Sequence, residues 1–161
     1  PGRMCVATGL EPDIGEFDWL SIYIHELSHV CQWVEQDEDY IASEGACYRL
    51  FSWLDREIHT KPSMKDIYTI QRMESGCDRR AVKLIDKYDL DIDMDTYIRQ
   101  SNAYMLFYIE VAKRRSWVKK GKRFPYKIDE VLDLIPCEFL DMKEYRKVPK
   151  RVSELFDKYT F

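Results

Sequence analysis

FDWLSIYIHELSHVCQWVE, residues 17–35, reads as one amphipathic helix, and the rest of the chain is best understood outward from it. Leu20, Tyr23, Ile24, Leu27, Val30, Cys31 and Val34 recur at intervals of three and four, the spacing of a helix face turned toward a core. Inside that helix, IHELSHVCQW (Ile24–Trp33) places His25 and His29 four positions apart, with Glu26 beside the first. Residues four apart on a helix lie one above the other, so the two imidazoles can aim at one point in space. Glu26, about 100° further round the helix, can reach a water held at that point.

Similar patterns extend through the chain. A second helix is predicted from Asp39 to Ile58, with Ile41, Ala46, Tyr48, Leu50, Phe51 and Leu54 as its apolar side and Pro62 barring continuation. Ser63 is the expected N-cap of a third, with Asp66 as a short capping-box acid, running to Tyr88. After the acidic loop DLDIDMD, Asp95 is the expected N-cap of a fourth helix reaching Trp117 and carrying Tyr97, Ile98, Tyr104, Leu106, Phe107, Tyr108 and Val111. KKGKRFPY then reads as a basic turn. Pro125, Pro136 and Pro149 punctuate shorter helices near 127–134 and 151–158. RMCVATGLEPDIGEF, before the first helix, has room for one small β element. The expected fold is therefore mainly α, a single domain over 1–161.

A chain of 161 residues with 45% hydrophobic content can fill one core. Its 25 basic and 29 acidic side chains leave a formal charge of −4, which advertises no broad nucleic-acid surface. KKGKRF is a local candidate for contact with nucleic acid or an acidic partner, but reads first as a solvated turn. Cysteines at 5, 31, 47, 77 and 137 form no CxxC pair and leave one over if paired, which points to a reducing, cytoplasmic setting. No apolar run approaches the roughly 18 residues of a membrane span, and the first ten residues lack signal-peptide character. The start at Pro1 leaves room for an upstream domain.

Two neutral imidazoles, a third protein ligand and one open position make up a hydrolytic zinc site. Zn2+ in such a site brings the pKa of its bound water toward ~7, and a carboxylate such as Glu26 takes the proton as that water attacks a carbonyl. The chain has three histidines and two fall at this spacing, which favours metal over coincidence. Candidates for the third ligand are Glu74, His59, Glu44, Cys31 and Cys77. Glu74 opens ESGCD, with Asp78 one turn later on the same face, so one carboxylate can bind metal while the other accepts an imidazole N–H. The alternative is a solvated face pairing with Arg72 or Arg79. Cys31 and Cys77 are read as packing residues, and His59 as a helix-end or solvent-facing residue. For an oxyanion donor Tyr104 comes first, with Tyr97 and Tyr108 close behind and Arg72 as a possible anion anchor.

HELSH followed by ESGCD resembles the HExxH and ExxxD pair of thermolysin-type gluzincin metallopeptidases. That resemblance implies a compact zincin-like helical domain, with His25, His29 and Glu74 as zinc ligands, Glu26 as general base and Asp78 orienting a histidine. It implies a protein or peptide substrate, and the lack of a long apolar run argues separately against a membrane partner. Met73 through YIRQSNAYMLFY is also similar to small metallopeptidases of phage and prophage origin. HELSHVCQW fits, in addition, the HExxHxxxW opening of SprT-like proteases, which act on proteins crosslinked to DNA and would recruit His59. A non-catalytic zinc-binding interaction protein and a purely structural helical domain without metal are the remaining alternatives.

Overall fold

A computed structural model describes residues 19–161. Among them are α1 (Trp19–Val34), α2 (Glu38–Leu54), α3 (Met64–Tyr88), α4 (Met94–Arg114), a short α5 (Asp129–Leu132) and α6 (Lys150–Tyr159), with 3-10 turns at Pro125–Lys127 and Glu144–Arg146. The fold is mainly α, as the periodicity predicts. The expected small β element lies outside the described residues. No described helix is long and apolar enough to cross a membrane.

Helix α3 is the axis of the molecule and packs against α1, α2 and α4. Its start follows from a capping box: the Asp66 N–H donates to Ser63 Oγ (3.2 Å) while the Ser63 N–H donates to Asp66 Oδ2 (2.8 Å). Arg49 of α2 holds the same carboxylate at 2.6 Å and ties the two helices together. Toward its start α3 contributes Ile67 and Ile70 to a large core with Leu50, Leu106, Phe107 and Phe156. Toward its end Ala81 and Ile85 form a smaller cluster with Ile24 of α1 and Tyr97 of α4. Glu74 and Asp78 occupy the turns between these clusters.

The first helix is turned differently from its apolar pattern. Ile24 is buried, but so are Ser28 and Gln32, whereas Tyr23, Val30 and Val34 are exposed. The reason lies across the interface: the facing side of α3 carries Glu74, Cys77 and Asp78, so the inward stripe of α1 is His25, Ser28, His29 and Gln32. Likewise α2 buries Ala46, Leu50 and Trp53 and leaves Ile41, Tyr48 and Phe51 exposed, contrary to expectation.

Helix ends account for the other departures. The second helix stops at Leu54, not Ile58, because Arg56 takes a left-handed conformation (φ 66°) and the Glu57 N–H returns to the Ser52 carbonyl at 2.9 Å. Gln36 and Asp89 close α1 and α3 in the same way, and Arg115 (φ 51°) ends α4 before the expected Trp117. None of these four positions is glycine. The N-cap of α4 is Asp93, not Asp95: its carboxylate accepts from the Thr96 N–H at 3.1 Å, leaving Asp95 within the first turn.

The C-terminal segments brace α4. Asn102 donates to the carbonyls of Pro136 and Glu138 and accepts from the Tyr145 hydroxyl at 2.6 Å. The KKGKRF turn is fastened to the end of α6 through Lys119 N–H to Thr160 O and Arg123 N–H to Tyr159 O, and Gly121 supplies its positive φ of 77°.

Candidate metal centre

Three side-chain atoms from two helices converge where α1 crosses α3. His25 Nε2 and His29 Nε2 stand 3.1 Å apart, and Glu74 Oε2 lies 3.4 Å from the first and 3.3 Å from the second. The outer nitrogens determine what these atoms offer. His25 Nδ1 donates to Asp78 Oδ1 at 2.8 Å. His29 Nδ1 donates to Gln32 Oε1 at 3.0 Å, and the orientation of that amide follows from its Nε2, which donates to the Met73 carbonyl at 3.0 Å. With each Nδ1 carrying a proton, both neutral rings present a lone pair at Nε2.

Two lone pairs and a carboxylate oxygen within 3.4 Å repel one another unless a cation sits among them. Glu74 Oε2 is buried without a hydrogen-bond partner, as an oxygen reserved for such a cation would be. Ligand atoms about 2.0–2.1 Å from a tetrahedral zinc ion stand about 3.3–3.4 Å apart, close to the three observed separations. The donor set therefore fits zinc. Without a metal, protons take its place. Burial works against charge on both rings, but Asp78 outweighs it at His25, whose pKa is raised well above the ordinary value. At His29, the nearby Cys77 and Glu74 outweigh burial and push the pKa up to about 10. Burial would raise the Glu74 pKa, yet the two histidines hold it well below the usual carboxylate range.

Each acid is itself braced. Asp78 accepts from the Tyr97 hydroxyl at 2.8 Å and Ser101 Oγ at 2.5 Å, and Glu74 Oε1 accepts from the Tyr108 hydroxyl at 3.0 Å. Tyr97 and Tyr108, named as rival oxyanion donors, are thereby committed to carboxylates. Tyr104 lies 3.2 Å from Tyr108; since the single Tyr108 proton goes to Glu74, Tyr104 is the donor in that pair.

A cavity of about 250 Å3 opens beside this cluster, lined by Ser21, His25, Glu26, Gln100, Tyr104 and Tyr126 among others. Glu26 lines the cavity and is exposed to solvent, while Tyr104 is half-buried in the wall. Tyr126 was missed by sequence reasoning. It packs edge-on to Tyr104 at 5.8 Å and stacks on Phe124, so the end of the basic turn forms part of the cavity.

Cys77 is closer to the chemistry than its reading as a packing residue implied. It is buried, and its sulfur forms a group with His25 and His29 whose ligand atoms lie within 4.8 Å of one another. Glu74 is nevertheless the better third ligand. The Cys77 thiol donates to the His25 carbonyl at 3.1 Å and otherwise approaches Nδ1, the nitrogen already engaged by Asp78, whereas Glu74 Oε2 faces both Nε2 atoms. Glu44 and His59 are exposed and line no part of the cavity. Arg72 pairs with Asp39 on the surface. Cys31, Cys47, Cys77 and Cys137 are all free.

Comparison with known protein families, with curated proteins and with solved structures found no match to this chain.

Proposed function

We propose that this protein is a zinc-dependent metallopeptidase that hydrolyses peptide bonds with Glu26 as general base. The observation that carries the reading is the convergence of His25 Nε2, His29 Nε2 and Glu74 Oε2 at 3.1–3.4 Å beside an open cavity. A zinc ion held there would polarise a carbonyl and lower the pKa of a water. Glu26, in the cavity lining next to His25, accepts the proton of the attacking water and delivers it to the departing amine nitrogen. Tyr104, in the cavity wall, would turn its proton from the Tyr108 oxygen to the carbonyl oxygen as negative charge develops there. Asp78 keeps His25 in the tautomer that leaves Nε2 free to bind, with Tyr97 and Ser101 fixing the acid in turn.

A non-catalytic zinc-binding protein would share the ligand set, so activity must decide between them. Protein purified without a histidine tag is analysed for zinc and incubated with a mixed peptide library, with and without chelator, alongside Glu26→Gln. The enzyme reading expects cleavage that chelation stops and that Glu26→Gln loses with its metal retained. Metal uptake without cleavage would favour the non-catalytic reading, and absence of metal uptake would remove both.

A further inference from the structure

Gln32 lies one turn beyond His29 and is 1% exposed, in the interface between α1 and α3. A fully buried primary amide is costly unless both ends are satisfied. Here the Nε2 end donates to the Met73 carbonyl of α3, and the Oε1 end accepts from His29 Nδ1. This fixes a direction: the α3 backbone orients the amide, and the amide dictates which ring nitrogen of His29 carries the proton. Asp78 does the same for His25 from the other helix, so the two imidazoles are braced by different chemistry, one by a carboxylate and one by a neutral amide.

The opposing surface is shaped to admit that amide. Gly76 stands across from Gln32 on α3, and a Cβ there would come within 3.2 Å of Gln32 Nε2. Glycine in a helix interior costs roughly 0.5–1 kcal/mol relative to alanine, which makes its use at this position informative. Ser75 and Cys77 flank it with side chains, and only the residue facing the amide lacks one.

We infer that Gln32 is a positioning residue for His29, holding its Nε2 toward the metal position through the chain Met73 carbonyl, Gln32 amide, His29 Nδ1, with Gly76 providing the space. The inference rests on the metal centre proposed above but not on the identity of the substrate. Its scale follows from comparable partners of metal-bound histidines, whose loss weakens metal affinity about 10–100-fold.

The test is titration of the full chain with zinc alone, by competition against a chromophoric chelator, together with the visible spectrum of the cobalt(II)-loaded protein. Gln32→Leu, similar in size but unable to hydrogen-bond, is expected to weaken zinc binding about 10–100-fold and to alter the cobalt(II) spectrum. Gln32→Glu keeps an acceptor for His29 Nδ1 and is expected to recover much of the affinity, although its charge faces the Met73 carbonyl. Gly76→Ala is expected to weaken binding in the wild-type background and to add little to Gln32→Leu, because both disturb the same link. If Gln32→Leu does not fold, Gln32→Glu and Gly76→Ala carry the comparison. Gln32→Leu binding as tightly as wild type with an unchanged spectrum, or more tightly than Gln32→Glu, would show that Gln32 only packs and would overturn the inference while leaving the metal centre standing. Wild-type protein that takes up neither ion would overturn the centre itself and this inference with it.

Discussion

Protons would compete with a metal for the three atoms of the proposed centre, so stability without metal should depend on pH in a definite direction. The pKa of His29 is raised from 6.5 to about 10, with burial opposing and the proximity of Cys77 and Glu74 prevailing. A raised pKa means that the folded protein keeps a proton which the unfolded chain has already lost. The associated stabilisation is fully present below pH 6.5 and disappears as pH rises through about 10. At about 1.4 kcal/mol per pH unit, the loss across that window has a ceiling of about 5 kcal/mol, comparable with the whole stability of many domains. The low pKa of Glu74 reports the same contacts from the other partner and is not added to it. The assay is urea denaturation of chelator-treated protein at pH 6.5, 8 and 10, run in parallel with Glu74→Gln. That variant removes the Glu74 charge, so its slope should be shallower than wild type by the Glu74 share, while the Cys77 share at His29 and the Asp78 share at His25 remain. The difference between the two curves separates this contact from other groups titrating near pH 10. With zinc in excess the slope should shrink, because the ion takes the place of the protons. A wild-type curve parallel to that of Glu74→Gln across the window would refute the reasoning.

Other consequences are equally direct. Glu26→Gln should retain zinc and lower kcat by at least ~100-fold in a peptide-cleavage assay, since proton transfer by a placed side chain is worth about 10²–10⁴ in rate; undiminished turnover would take Glu26 out of the reaction. Asp78→Asn should weaken zinc binding about 10–100-fold in the competition titration, because the His25 Nδ1–H would face a partner able to present an N–H instead of a carboxylate. Arg56→Gly should raise stability by about 0.5–1 kcal/mol and the melting temperature by a few degrees, since φ is 66° there; a fall on calorimetry would mean that the arginine side chain contributes more than its backbone costs.

Much of this architecture can be read directly from the residues, and the exceptions share physical causes. The start of α3 follows from Ser63 and Asp66, whose reciprocal bonds are encoded by spacing alone. The placement of His25, His29, Glu74 and Asp78 follows from two i, i+4 pairs on two helices, although nothing in the spacing shows that α1 and α3 are neighbours. Periodicity is less informative where a buried face is polar. The search for apolar stripes directs attention to Tyr23, Val30 and Val34, all exposed, and away from Gln32, which is buried. A glutamine three residues after HExxH and a glycine between Glu74 and Asp78 were the available signals, and only the crossing of the helices joins them. The ends of α2 and α4 were hidden because Arg56 and Arg115 stand where glycine is usual. Tyr126 gave no sign of its place in the cavity wall, since the Pro125 turn that positions it looks in sequence like any solvated bend.

The polar stripe of α1 has a consequence for how the protein would be maintained over its lifetime. Apolar burial secures this helix at Ile24 and a few half-buried neighbours, while its polar attachment to α3 runs through His25, His29, Gln32 and the Cys77 thiol on the His25 carbonyl. An ion shared by the two helices would therefore serve as a rivet as well as a reagent. Starved of that ion, the first helix would be the segment to peel away and meet cellular proteases, so metal supply would govern how many copies persist as well as how many are active.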